Sequence, residues 1–237
     1  MATGTTNSIE NARRLLEKCT LFRGLPTEDR DRLIARARIR HFAAGQTIFT
    51  MGARGDSMLA VLNGEVRISV PSYRDRELQL AILQPGEVFG EIAVLDGKER
   101  TADAQAITDC DLAVLKRADI LDFLRRDPNA LASLVEVLCG RLRQTDQHIA
   151  EVALLNLPVR LAKVMLRIGE PDKAPQMHGP IIKIHRSQRE LANMIGAARE
   201  SVNKCLREWN RSSVLRVQGN SITITKPAVL AEIADQV

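Results

Sequence analysis

No run in this chain approaches the roughly 20 consecutive apolar residues that a membrane-spanning helix needs. Its opening stretch, MATGTTNSIENARR, lacks the apolar centre of a signal peptide. Neither membrane insertion nor export is expected. Cysteine is sparse: Cys19, Cys110, Cys139 and Cys205 stand far apart, with no C-x-x-C pair. That spacing argues against a disulfide framework, and the cytoplasm, which is reducing, is the expected location. Histidine is equally dispersed, at His41, His148, His178 and His185, and none stands at metal-ligand spacing from another His, Cys or carboxylate. No metal site is expected. Metal-dependent hydrolysis, which wants clustered His and Asp ligands, is disfavoured. The expected class is a binding protein, not an enzyme, and no catalytic residue is assigned.

What is present is an ordinary globular composition, 45% hydrophobic and 27% charged over 237 residues. That is enough for one large domain or two modest ones. The formal net charge of +5 is unevenly spread. Residues 1–155 carry 21 Lys and Arg against 22 Asp and Glu, for −1, and residues 156–237 carry 13 against 7, for +6. A compact basic back end suggests a polyanionic partner, although many small basic domains bind nothing acidic.

Helical patterning over about 8–18 and 27–37 gives way to short β-like runs: QTIFT, MLAVL, EVRISV, LQLAIL and CDLAVL. Gly45, Gly52, Gly55, Gly64, Gly86, Gly90 and Gly97 punctuate them. Short apolar runs at this spacing predict an antiparallel barrel or sandwich, with PSYRDREL as a polar hairpin tip. From Leu121 the texture turns helical. Asp127-Pro128 reads as a helix start, the acid capping and the proline in the first turn. Val135, Leu138, Leu142, Thr145, Ile149 and Val152 then alternate at spacings of three and four, the seam of one helix pressed lengthwise on another. A long helix beside a small front domain favours a homodimer seam. A helix packed on its own domain would share the spacing. Thr145 is the polar member of that seam, with Asp146 beside it and Arg141 and Arg143 one turn earlier. Asn156-Leu157-Pro158 breaks it, and a new segment is expected from Val159, with the break acting as a hinge.

Ser187-Gln188-Arg189-Glu190 has the form of a capping box. The run QRELANMIGAARESVNKCLREW that follows has a helix–turn–helix arrangement: Leu191 apolar, Ala192 small where helices cross, Gly196 at the turn, Val202 and Cys205 locking the second helix. Arg199, Glu200, Ser201 and Lys204 lie in the first turns of that helix, where base edges are read. Arginine can fork onto guanine, and glutamate can accept from a cytosine amino group. VLRVQGNSITITK alternates around Gly219-Asn220 and predicts a hairpin, or wing. DNA binding is the expected activity of this end, with Arg186 and Ser187 also placed at the interface.

In FGEIAVLDGKERTADA, residues 89–104, a lone carboxylate, Glu91, follows a glycine and a lone arginine, Arg100, precedes a threonine. The pair suits a small molecule carrying both hydroxyls and a phosphate, although a solvated surface ion pair would look the same. With this segment, the chain resembles the Crp/Fnr family of bacterial transcription regulators, in its cyclic-AMP receptor branch. The resemblance spans nearly the whole chain, and its most specific residues are Gly90-Glu91, Arg100-Thr101, Thr145 and IGAARESVNK. It implies an α+β architecture in three parts. Residues 1–125 would form a double-stranded β-helix (jelly-roll) cyclic-nucleotide-binding domain, 126–156 a long dimerisation helix and hinge, and 157–237 a winged helix–turn–helix domain. It also implies a homodimer that binds one cyclic nucleotide per β-roll, a double-stranded pseudo-palindromic DNA operator, and RNA polymerase, the last with the loop GEPDKAPQMHGP as the place to look.

Carried onto this sequence, Glu91 would accept from the ribose 2′-hydroxyl and Arg100 would pair with the cyclic phosphate. Thr101 would add a hydroxyl, and the amides of Ile92 and Ala93 after Gly90 would complete an anion nest. The Ile92 and Val94 side chains are read as core. Arg141, Thr145 and Asp146 complete the expected ligand set. The chain also departs from enterobacterial members of the family. They carry threonine and serine where Thr145-Asp146 stands here, and serine at Thr101, where threonine resembles cyclic-GMP-responsive domains. The Gly90–Arg100 segment is one residue shorter. Cyclic AMP is the expected allosteric ligand, with cyclic GMP second, and no cofactor is expected. Ala198 replaces a capping serine before the recognition arginine. Redox- or haem-sensing regulation and ligand-independent DNA binding remain alternatives, although only Cys19 lies near the N-terminus, where iron–sulfur versions need a cysteine cluster.

Overall fold

A computed structural model describes residues 27–72, 76–171 and 182–236. The expected helix at 8–18, the tip residues Tyr73, Arg74 and Asp75, and most of the loop proposed for polymerase contact lie outside them. Two compact units are formed: the described residues up to Pro71 together with Leu80–Gln144, and Ser72–Gln79 together with Thr145 onward.

Helix α1 (Thr27–Arg36) leads into strands β1 (Arg38–Phe42), β2 (Thr47–Phe49), β3 (Ser57–Asn63), β4 (Val66–Ser72), β5 (Arg76–Leu83) and β6 (Val88–Phe89), all of the first unit except Ser72 and Arg76–Gln79. A one-and-a-half-turn helix, α2 (Glu91–Asp96), precedes β7 (Asp103–Ala106), β8 (Cys110–Lys116) and helix α3 (Arg117–Arg126). The strands form two four-stranded sheets, ordered β1-β8-β3-β6 and β2-β7-β4-β5. The resolved pairings within both are antiparallel, as the short runs predicted.

The run MLAVL shows why the pattern reads as unbroken apolar sequence rather than alternation. Strand β3 is covered on both faces. Met58, Ala60 and Leu62 join a core with Leu33 of α1, Val94 of α2 and Ile120, Phe123 and Leu124 of α3. Leu59 and Val61 face the other way, into a core with Phe42, Val66, Leu83, Phe89, Ala104 and Leu112. Helix α3 begins at Arg117, four residues before the helical texture becomes visible in the sequence, because Arg117 and Asp119 interrupt the apolar spacing that Ile120 opens.

Helix α4 (Pro128–Leu154) runs 27 residues without a break. Asp127 Oδ1 accepts from the amides of Asn129 at 2.8 Å and Ala130 at 3.4 Å, the expected cap. One face of its first half buries Ala130 and Leu134 in the helix-side core. The seam residues Val135, Leu142, Ile149 and Val152 are 48%, 61%, 60% and 43% exposed in the single chain. The division between the two units falls within this helix, between Gln144 and Thr145.

The second unit contains α5 (Leu157–Ile168), β9 (Glu170–Pro171), β10 (Ile182–His185), α6 (Gln188–Ile195), α7 (Arg199–Arg211), β11 (Leu215–Gln218), β12 (Ser221–Ile224) and α8 (Pro227–Ala234). Its sheet is ordered β11-β12-β10-β9. Helix α5 starts at Leu157, not at Val159, and Pro158 sits inside its first turn. The missing proline N–H costs nothing there, since first-turn amides have no intrahelical acceptor. Asn156 caps the helix, accepting from Val159 N at 3.1 Å.

Candidate functional site

Gly90 is the hinge of the first site. It sits at φ 77°, a left-handed conformation that side chains resist, and lets the chain turn sharply from β6 into α2. A Cβ at this position would also run into the Arg100 guanidinium. The turn drops Glu91 into the interior, where it is 1% exposed, and the ladder of backbone bonds between residues 52–53 and 100 brings Arg100 beside it, 5% exposed. Both charges are therefore buried, and the solvated surface pair that sequence left open is not what forms.

Arg100 is held by neutral groups. Nη1 donates to Gly90 O at 2.8 Å, and Nη2 donates to Ser57 O at 2.7 Å and to Ser57 Oγ at 3.1 Å. Its guanidinium carbon lies 4.2 Å from the Phe49 ring centre, a cation–π contact. Nε is buried and has no hydrogen-bond partner among the described residues. Burial lowers the Arg100 pKa, while the nearby Asp56 and Glu91 carboxylates act to raise it. An anion arriving here would offset the cost of that desolvation by favouring the charged form.

Glu91 forms an ion pair with Arg141 of α4, which also donates to Val88 O. Neither Glu91 oxygen makes an aligned hydrogen bond with the described residues. A buried carboxylate with open acceptor positions is costly unless something donates to it. Ala93 is 2% exposed and Val94 fully buried, whereas Ile92, read from sequence as core, is 43% exposed. A helix this short has a single inner face. Glu91 and Val94, three residues apart, occupy it, and Ile92 points away. Its backbone amide still belongs to the first turn of α2. Thr101 is exposed at the mouth of the strand that follows.

The structure thus gathers Gly90, Glu91, Ala93, Arg100 and Arg141. Thr145 follows Arg141 by one turn on the same face of α4, with Asp146 adjacent, and both are exposed. Sequence reading missed Ser57 and Phe49, whose contacts with Arg100 cross 43 residues of chain in the first case. Gly55-Asp56, leading into the apolar strand that Ser57 opens, was the available signal.

In the second unit, the capping box forms as expected: Glu190 N donates to Ser187 Oγ at 3.2 Å, and Ser187 N donates to Glu190 Oε2 at 2.7 Å. Ser187 is thereby committed to α6, and Arg186 stands 3.6 Å from Glu190. Gly196, at φ 64°, ends α6 in the left-handed conformation. Helix α7 buries Val202, Cys205, Leu206 and Trp209 and turns Arg199, Glu200, Ser201 and Lys204 to solvent. Ala198 offers no side-chain cap. The wing forms as β11 and β12 around Gly219, and Asn210 Oδ1 accepts from Val217 N at 3.3 Å, tying it to α7. Arg207 and Arg211 extend the exposed basic face of α7 beyond the residues assigned from sequence. The spacing of three and then four from Lys204 to Arg207 and Arg211 was the signal for them.

Among the described residues no helix is long and apolar enough to cross a membrane, and no group of three or more His, Cys, Asp or Glu could hold a metal ion.

Residues 39–127 match the cyclic nucleotide-binding domain family, and residues 159–233 match the Crp-like helix-turn-helix domain family. A cyclic AMP receptor protein from Thermus thermophilus is 33% identical over 214 residues, 90% of this chain and 96% of that protein. A CRP-like cAMP-activated global transcriptional regulator from Mycobacterium tuberculosis is 28% identical over 220 residues, 93% of this chain and 98% of that protein. The crystal structure of a CRP/FNR-family transcriptional regulator, also from Thermus thermophilus, aligns with a TM-score of 0.70 at 27% identity, covering 84% of this chain and 99% of that one. With a buried carboxylate and guanidinium in the one domain and a helix–turn–helix in the other, the chain belongs to the Crp/Fnr family of transcription regulators and is not an enzyme.

Proposed function

We propose that the protein is a cytoplasmic regulator whose homodimer binds a 3′,5′-cyclic nucleotide and, in response, a pseudo-palindromic DNA operator. The observation that carries the ligand reading is the pair of buried, incompletely satisfied charges: the Glu91 carboxylate and the Arg100 guanidinium. Glu91 accepts from the ribose 2′-hydroxyl, and an analogue without that hydroxyl leaves the carboxylate unpaired. Arg100 pairs with the cyclic phosphate. The Ile92 and Ala93 amides and the Thr101 hydroxyl complete the anion's shell, and Arg141 neutralises the carboxylate beside it. Thr145 and Asp146 meet the base. A carboxylate accepts from the adenine amino group and equally from guanine N1–H and its 2-amino group. Cyclic AMP is therefore the first ligand and cyclic GMP the second.

The exposed apolar stripe of α4 supports the dimer, since side chains of this size at heptad spacing are stabilised by a facing copy. Ligand binding favours one arrangement of the paired helices, and the Asn156–Pro158 break reorients the winged helices. Moving a mostly inactive population to a mostly active one takes about 5.5 kcal/mol of differential binding, shared between two sites. Arg199, Glu200, Ser201 and Lys204 read half-sites about one helical turn apart, Arg186 and Ser187 sit at the same surface, and RNA polymerase is the downstream partner. The test uses full-length protein and duplexes enriched from a random-sequence pool, with and without cyclic AMP or cyclic GMP. Palindromic sequences retained only with nucleotide are expected. Equal retention with and without nucleotide would leave a ligand-independent DNA binder.

A further inference from the structure

The last carbonyls of a helix lack intrahelical donors and must find partners elsewhere. At the end of α6 the Ala192 carbonyl accepts from Gly196 N and Ala197 N. The Ile195 carbonyl, at the turn into the recognition helix, accepts instead from a side chain: Arg160 Nη1, on α5, at 2.9 Å. This is a charge-assisted hydrogen bond to the negative end of a helix, favourable on both counts. Arg160 lies one turn into α5, and its own amide donates to Asn156 O at 3.1 Å, so the side chain springs from the turn that Asn156 caps. Its Nε is buried and has no hydrogen-bond partner among the described residues. A half-buried guanidinium held by a directed bond to a helix end has less freedom to swing away than a solvated one.

Helix α7 has no side-chain cap of its own, because Ala198 occupies the capping position. Its first turn carries Arg199, Glu200, Ser201 and, one turn on, Lys204, so small changes in its entry angle move every reading residue. We infer that Arg160 is a positioning residue for sequence reading. It fastens the α6–α7 turn to the first turn of α5, so that the recognition helix is presented in one orientation and follows α5 when that helix moves. The inference rests on the helix–turn–helix and on none of the nucleotide assignments.

The test compares full-length wild type with Arg160→Met, which keeps the bulk and removes the donors, and Arg160→Lys, which keeps the charge. Affinity is measured for a duplex enriched from a random pool with both cyclic nucleotides present, and for a scrambled duplex of the same length. Amide exchange is followed in parallel. With Arg160→Met, affinity for the enriched duplex is expected to fall about 10-fold, in line with the loss of a charged hydrogen bond, while scrambled-duplex binding is unchanged. Amides from Ala197 to Ser201 are expected to exchange faster, those of α5 are not, and Arg160→Lys recovers part of both effects. A merely stabilising role would weaken both duplexes together, or would speed exchange throughout the unit, and either result overturns the inference. Should no sequence be enriched, exchange alone decides, and unaltered exchange at the turn overturns it.

Discussion

In the β-roll the two decisive charges, Glu91 and Arg100, are 1% and 5% exposed, whereas on α7 Arg199, Glu200, Lys204 and Arg207 all face solvent. The contrast follows from what each surface would meet under the proposed function. A small ligand can be enclosed, so its hydroxyl and phosphate can be matched one to one by groups already stripped of water, and each group matters greatly. A duplex cannot be enclosed. Its charge is met by exposed cations that act as a set, each screened by salt and each worth little alone. Substitutions in the two places should therefore differ in size and in salt sensitivity.

Arg100→Met is the severest test. Removing one partner from a buried, charge-assisted pairing should lower cyclic-nucleotide affinity at least about 100-fold. Titration calorimetry at two salt concentrations should give nearly the same factor. A loss that salt erased would make the β-roll resemble the DNA surface.

The underside of α7 offers an intermediate case, since it is as dry as the β-roll interior. Burial pushes the Cys205 thiol up to about 11, with Glu208 adding in the same sense. The unfolded thiol titrates near 8.5, so the fold favours the neutral form. The thiol's contribution is fully present below about pH 8.5 and declines as pH rises toward 11. Denaturant midpoints at pH 7.5, 9 and 10.5 should therefore drop more steeply for wild type than for Cys205→Ala.

How much of this was visible beforehand depended on distance along the chain. The Ser187 capping box, the Asp127 cap and the Gly219 hairpin are each decided within four residues, and each formed as read. The apolar run of β3 was legible as a strand because both its faces are covered. By contrast, Ser57 and Phe49 reach Arg100, and Arg160 reaches Ile195, only after the chain has folded back, and no local pattern marks such a pair. Ile92 was misread for a related reason. Apolarity predicts burial on average, but a helix of six residues has room for one inward face, and Glu91 takes part of it. That a carboxylate should displace an isoleucine from the interior is itself a mark of a site.

Two smaller effects sharpen the contrast from the other side. Ala198→Ser supplies the missing cap and should stabilise the winged helix by about 1 kcal/mol, visible as a raised melting temperature with nucleotide affinity unchanged. Arg207→Ala should weaken binding to every duplex by a similar modest factor and reduce the slope of log affinity against log salt by about 1. Sequence preference should not change, and a change would place Arg207 among the base readers.

The central claim is that Glu91 and Arg100 together hold the ribose and phosphate of a cyclic nucleotide. Its most direct test is calorimetric titration of full-length wild type and Glu91→Ala with cyclic AMP and with 2′-deoxy cyclic AMP. Wild type is expected to bind cyclic AMP and to discriminate strongly against the deoxy analogue, and the variant is expected to lose that discrimination along with most of its affinity. A wild type that bound neither nucleotide, or a variant that still told them apart, would contradict the assignment of the β-roll site.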